Sequence, residues 1–285
     1  MKLVNVINPA YLFNNKEKIL PKLRSGIQNM VFPIHRFCRD RGVALTANDR
    51  KVIALEDKHV GKRCFILGNG PSLKIEDLNY LKNEVTFASN KIYLAFESTF
   101  WRPTYYSVVD VLVAENNRTE IDALNLTKIF ELTISPFFKM EDAIWVQLLS
   151  VPMIDDVPKF DFSINALKGV YGGFTVVYFQ LQLAFYMGIR EIYLIGVDFS
   201  FDVPEKTGES SVSGEILKHQ GEKNHFHPDY RKPGETWTMP MMDEQKAAFT
   251  VAKKAIESAG GKVYNASRET KLDVFERVDF DRLFE

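Results

Sequence analysis

Cysteine is scarce: the 285 residues hold two, Cys38 and Cys64, and their spacing matches no metal site. Cys64 stands inside the apolar run Cys64-Phe-Ile-Leu67, where a thiol behaves as a small hydrophobe, and a reducing cytoplasm fits this usage. Net charge is lacking too. Lys and Arg number 36 against 37 Asp and Glu, so no summed field of one sign draws the chain to nucleic acid, which is not an expected partner. Long hydrophobic runs are also missing. The longest apolar stretch, 170–187, is broken by Gly172, Gly173, Gln180 and Gln182, short of the roughly 18 to 20 residues of a membrane span. The opening Met1-Lys-Leu-Val-Asn-Val-Ile-Asn-Pro9 has neither an apolar core nor a small-residue cleavage pattern. A cytoplasmic protein with no transmembrane segment is expected, peripheral membrane association being left open.

What is present is core-forming material. With 46% hydrophobic and 13% aromatic residues the chain can bury a sizeable core as one large domain with a small appendage. Residues 1–60 carry Ile19, Leu20, Leu23, Ile27 and Met30 at helix-like spacing, interrupted by Pro21, Gly26 and Pro33, and read as a helical N-terminal extension. From 61 to 285 the texture is that of one domain. Short β-branched and aromatic runs at 64–67, 85–88, 105–109, 128–132 and 191–195 alternate with helix-like stretches at 75–81 and 174–187. Parallel strands need crossovers long enough to be helices, so the pattern predicts an α/β doubly wound, mostly parallel Rossmann-like sheet with helices on both faces. Residues 200–240 are rich in Gly, Pro, Lys, Glu and His without periodicity, and read as a long lid loop. A helix at 243–259, closed by Gly260-Gly261, and a strand at 262–264 complete the chain.

The strongest chemical signal is Gly68-Asn69-Gly70-Pro71-Ser72, directly after the first strand. Glycines there let the backbone approach a ligand, and a helix start beyond them presents free N–H groups to a phosphate or ribose. Ligands of open parallel sheets gather at such carboxyl ends. Leu73 stands where a dinucleotide fingerprint wants its third glycine, and Pro71-Ser72 does not supply the Gly-Lys-Ser/Thr of a P-loop. Hydride transfer and P-loop hydrolysis therefore lose ground. Asn90 ends the second strand and suits a ribose hydroxyl or base edge. Asp110 and Asp198 end later strands and need partners such as a ligand hydroxyl, a backbone donor or a metal. Among the histidines of the long segment, His219, His225 and His227, the run His225-Phe-His-Pro-Asp-Tyr230 offers a base near neutral pH and a phenol. Its spacing is a poor match to zinc. Alternation in an extended stretch would send His225 and His227 to the same side. The pair Asp279-Phe-Asp281 has the form of a metal-binding Asp-x-Asp, but it follows no strong strand.

Three blocks, Phe65-Ile-Leu-Gly-Asn-Gly-Pro-Ser-Leu73, Phe87-Ala-Ser-Asn90 and Gly188-Ile-Arg-Glu-Ile-Tyr-Leu-Ile-Gly-Val-Asp-Phe199, are followed by the His-rich segment. In this order they resemble the bacterial CMP-sialic-acid-dependent sialyltransferases of glycosyltransferase family 42. They are more similar still to the wider domain of unknown function 115 group, which includes flagellin-modifying proteins and archaeal 6-hydroxymethylpterin pyrophosphokinases. The resemblance runs from about Arg63 to Tyr264. It implies that Gly68, Asn69, Gly70, Ser72 and Asn90 hold a nucleotide, that Gly172, Gly173 and Thr175 lie near the donor, and that a lid histidine, His225 before His227, is the general base. Two departures stand out: Ser200 replaces the sialyltransferases' phosphate-binding tyrosine, and Asp110 replaces an asparagine.

The expected function is a glycosyltransferase of surface-glycan or lipooligosaccharide assembly, moving a sugar from a nucleotide donor, such as a CMP-linked acidic sugar, to a glycan hydroxyl acceptor. His225 or His227 would take the acceptor proton, and Tyr230 or Arg231 would neutralise the leaving phosphate. That reading requires no metal or further cofactor. The alternative is a 6-hydroxymethylpterin pyrophosphokinase in which ATP and Mg²⁺ replace the sugar nucleotide, with Asp110 or Asp198 at the metal. A third reading is a non-catalytic nucleotide-binding partner in glycan assembly.

Overall fold

The computed structural model describes residues 37–155, 157–204, 206–211 and 214–285. The helical reading of residues 1–36 falls outside this range. In chain order the strands that place the site are β1 (Arg63–Leu67), β2 (Val85–Ser89), β3 (Tyr105–Ser107) and β4 (Glu191–Ile195). Then follow β5 (Lys206–Ser211), β6 (Gly214–Lys218), β7 (Thr236–Thr238), β8 (Lys262–Asn265) and β9 (Glu276–Arg277). The helices are α1 (Ala47–Ile53), α2 (Val111–Asn116), α3 (Arg118–Ala123), α4 (Val176–Tyr186) and α5 (Met242–Ser258).

Six strands form the central sheet in the order β9-β8-β4-β1-β2-β3, every neighbouring pair parallel. Past β3, Tyr106 bridges Lys128, and Ile129–Glu131 runs parallel to Ile144–Val146. The strands read as continuous apolar runs because both faces are covered. Cys64, Ile66, Phe87, Tyr105, Ile192 and Leu194 enter one core with α4 and α5. Phe65, Leu67, Ala88, Tyr106, Tyr193 and Ile195 enter the other, where Tyr193 stacks on Phe65 at 5.2 Å and on Tyr264 at 5.1 Å. The fold is Rossmann-like, as the alternation of strands and helices predicts.

Helix α4 is buried from Val177 to Tyr186, and each large apolar side chain shut from water there is worth about 1.5 to 3 kcal/mol. The two glutamines that break its apolar run tie it down. Gln180 donates to Ala88 O at 2.9 Å, and Gln182 accepts from the backbone N–H groups of Ser163 and Tyr171, each at 2.9 Å. Among the described residues no helix is long and apolar enough to cross a membrane.

Three local readings change. Residues 75–81 form a 3₁₀ helix, the tighter form that short connecting helices often take. Strand β3 stops at Ser107, because Asp110 turns the chain into α2. The 200–240 segment is not one loop but holds a three-stranded antiparallel sheet, β5-β6-β7, and a single 3₁₀ turn at Pro228–Tyr230.

Candidate functional site

A cavity of about 410 Å³ opens beside the carboxyl ends of β2 and β3, and four parts of the chain supply most of its wall. After β2 comes Asn90, held at φ +52°. After β3 come Val109 and Asp110, whose Oδ1 accepts from the N–H groups of Leu112 at 2.8 Å and Val113 at 3.1 Å, capping α2. The third part is the turn into α4, Gly172 to Val176. Thr175 caps that helix, and Phe174 sits at φ +56° with its carbonyl bound by Gln245 Nε2 at 2.9 Å. Two non-glycine residues in the left-handed region at one cavity are the kind of strain that concentrates at functional sites. The fourth part is the insert, which contributes Phe201, His225, Tyr230, Arg231, Glu235 and Trp237.

The insert is fastened to the sheet by polar contacts. Lys91, buried behind Asn90, meets both oxygens of Glu235 at 2.9 and 3.0 Å, and Glu235 also accepts from Lys232 N. Phe226 N donates to Asn69 O at 3.0 Å. The Tyr230 phenol receives hydrogen bonds from the Asn90 side chain and the Lys91 backbone, while burial pushes its pKa up to about 12. His225 stacks face to face on Tyr230, centroids 3.7 Å apart and planes 5° apart. Burial first, then the cations Arg231 and Lys91 and the nearby His219, hold its pKa well below the ordinary 6.5. His225 is therefore a neutral imidazole at pH 7, able to accept a proton. Arg231 lies over the Trp237 ring at 3.7 Å, and burial lowers its pKa to about 10. It remains charged at neutral pH.

The cavity thus gathers Asn90, Asp110, Gly172, Gly173, Thr175, His225, Tyr230 and Arg231 from the residues that the sequence singled out. The Gly68–Ser72 loop and Asp198 lie outside its lining. Gly68 N donates to Ile195 O at 2.8 Å and Gly70 N to Gly196 O at 2.9 Å, so the loop stitches β1 to the end of β4. Ser72 gives both its backbone N–H, at 2.7 Å, and its hydroxyl to the Asp198 carboxylate. Burial raises the Asp198 pKa, against the opposing pull of those two bonds. A Cβ on Gly70 would meet that carboxylate at 2.5 to 2.8 Å, and one on Gly68 would strike the Gly196 carbonyl. The glycines here make room for protein, and the N–H of Ser72 is already taken. Pro71 is exposed. Asn69 donates to Ser89 O at 3.2 Å and receives the insert through its carbonyl.

His227 does not share the cavity with His225: its Nδ1 accepts from Asp229 N at 3.2 Å and caps the 3₁₀ turn. Asp281 of the Asp-x-Asp pair is bound by Arg268 at 2.7 Å. Among the described residues no group of three or more His, Cys, Asp or Glu is placed to hold a metal ion. Lys91, Glu235, Phe174 and Trp237 carry no motif; the alternation Thr236-Trp-Thr238 was the one local sign of a strand facing the site.

A Rossmann-like parallel sheet thus carries a polar and aromatic cavity at its carboxyl edge, with an inserted small sheet packed beside it. The chain belongs to the 6-hydroxymethylpterin diphosphokinase MptE-like family, whose model matches residues 44–203, more than half its length. That is the wider group to which the three sequence blocks pointed. Its structure is similar to that of the MAf glycosyltransferase from Magnetospirillum magneticum AMB-1, at 13% identity and a TM-score of 0.44. The match covers 84% of this chain and 40% of that one. No curated protein matches the sequence.

Proposed function

We propose that the protein is a nucleotide-dependent transferase that moves a sugar from a nucleotide-linked donor to an acceptor hydroxyl. The observation that carries this reading is the meeting, in one cavity, of a neutral imidazole, His225, with a buried guanidinium, Arg231. The imidazole takes the acceptor proton as the hydroxyl oxygen bonds to the sugar carbon. The bond from that carbon to the phosphate oxygen breaks, its electron pair stays on the phosphate, and Arg231 neutralises the charge that develops. Asn90 and Asp110 offer hydrogen-bond partners to the nucleoside, and the insert closes over the bound donor as a lid. A CMP-linked acidic sugar as donor, a surface glycan as acceptor and a cytoplasmic location belong to this proposal.

The family match supports a second reading, a 6-hydroxymethylpterin diphosphokinase. The same base would deprotonate the pterin hydroxymethyl group, whose oxygen would bond to the β-phosphorus of ATP as AMP departs. Product analysis separates the two. The protein is incubated with CMP-, UDP- and GDP-sugars plus glycan acceptors, and separately with ATP, Mg²⁺ and hydroxymethylpterin. Release of a sugar nucleotide's free nucleotide, lowered about 10² to 10⁴-fold by His225→Ala, is the expected result. AMP release only in the second mixture would replace the glycosyl reading with the diphosphokinase one, and wild-type turnover by His225→Ala in either would remove the base.

A further inference from the structure

The insert brings into the cavity a guanidinium, Arg231, that the carboxylates of Glu235, Glu222 and Asp110 act on through space but do not touch. Lys91 is matched by Glu235, but Arg231 forms neither an ion pair nor a hydrogen bond with any described residue, and its Nη1 is sealed from solvent. Beneath the guanidinium lies the Trp237 ring, 3.7 Å away. Trp237 is 5% exposed, and its indole N–H is likewise buried without a partner. Two orphaned donors in neighbouring side chains that line one cavity are rare in a settled structure, because each forfeits its hydrogen bonds to water. Both are donors, one carries a positive charge, and the same cavity is lined by the turn into α4. There Gly172 has open space where a Cβ would stand, and the helix dipole is positive. All of these features favour one kind of guest, an anion with several acceptor oxygens.

We infer that Trp237 is a positioning and recognition residue for a phosphoryl group. It holds the Arg231 guanidinium over its ring and gives its indole N–H to the same anion, which the α4 turn receives from its own part of the wall. This rests on the reading that a phosphorylated donor enters the cavity, and it adds what selects the phosphate. The cation–π contact restrains the guanidinium beside the indole, so the site favours an anion that offers oxygens to both side chains. It follows that a bare inorganic anion binds without any nucleoside, and that a one-point carboxylate binds far less well.

The test uses the full chain and inorganic pyrophosphate, followed by calorimetry and by the indole N–H resonances of ¹⁵N-tryptophan protein. The chain has three tryptophans, Trp101, Trp145 and Trp237, and a Trp237→Phe variant assigns the third. Saturable pyrophosphate binding is expected, with the Trp237 indole signal moving and the other two holding still, while acetate at equal concentration moves none. Trp237→Phe keeps an aromatic platform but no N–H. It should melt like the wild type without ligand yet bind pyrophosphate roughly tenfold or more weakly, the worth of a charge-assisted hydrogen bond. Arg231→Gln should lose binding altogether. Should Trp237→Phe fail to fold, Trp101→Phe and Trp145→Phe assign the remaining signal by difference, and its shift with the Arg231→Gln titration decides the matter. An unmoved Trp237 signal at saturation, undiminished pyrophosphate affinity in Trp237→Phe, or an equal response to acetate overturns the inference. Pyrophosphate binding as described without turnover of any nucleotide donor would leave the clamp standing and sink the transferase reading. Turnover with an unchanged donor KM in Trp237→Phe would do the reverse.

Discussion

Glycine has two different uses at the carboxyl edge of this sheet, and they predict opposite outcomes for similar substitutions. At Gly70 the place of a Cβ is occupied by the Asp198 carboxylate, which also receives both donors of Ser72. At Gly172, on the cavity wall, a Cβ meets nothing within 4 Å. Gly70→Ala is therefore expected to destabilise the fold by about 1 to 3 kcal/mol, as overpacking against a fixed neighbour does. Gly172→Ala should leave the melting temperature within the range of neutral surface changes, about ±0.5 kcal/mol. Gly172→Leu then separates binding from folding: it should melt normally and lose nucleotide affinity, because its side chain projects into ligand space. Thermal melts and titrations of the three variants check this. A stable Gly70→Ala protein would show that Asp198 is free to move, and a Gly172→Leu protein with full nucleotide affinity would place the ligand elsewhere.

At the scale of elements, the strands were legible and the insert was not, for one physical reason. Buried parallel strands such as Phe65-Ile-Leu67 and Ile192-Tyr-Leu-Ile195 must be apolar on both faces, and that writes itself into the sequence. The strands β5 and β6, in an insert of Lys, Thr, Glu and Ser, leave no such run, so the segment read as loop. The same limit applies to the site. Asn90, Asp110 and the Gly172-Gly173 turn stand at ends of legible elements, whereas Lys91 and Glu235 meet across 144 residues and Trp237 reaches the cavity only through the pairing of the insert's strands. Their pairing also yields a prediction for the insert. With Glu235→Gln the buried Lys91 ammonium keeps a neutral partner only, and the loss of a close buried counter-charge is destabilising. Since that pair ties the insert to the sheet, protease cleavage within 200–240 should quicken in Glu235→Gln without a comparable fall in the melting temperature of the whole. Bound nucleotide should slow cleavage in the wild type. Equal cleavage of both proteins, with and without nucleotide, would rule out a moving insert seated by this pair.

The whole molecule registers the cavity's charge through its response to pH. His225 is held neutral by burial above all, then by Arg231, Lys91 and His219, so its folded pKa lies well below its unfolded 6.5. Between those two values the unfolded chain binds a proton that the folded chain refuses. Stability in that window therefore falls as pH falls, and below the folded pKa no further loss comes from this group. His59 contributes with the same sign, its pKa lowered by burial and by Lys58 and Lys62, so the wild-type curve alone does not isolate the site. The difference between wild type and His225→Gln does. At pH 7.5 and above that difference should be constant, and it should shift against the wild type as pH drops below 6.5. Activity supplies the second arm of the same argument. A base with a lowered pKa stays unprotonated through pH 6.5, so kcat/KM should remain level there and decline only at more acid pH. Arg231→Gln removes one of the cations, and the His225 titration, followed by the imidazole resonances of that variant, should move part of the way back toward 6.5, because burial, the larger cause, remains. A wild-type rate that already halves near pH 6.5, with a stability difference independent of pH, would mean that His225 titrates like a solvated histidine and that the insert does not enclose it in solution.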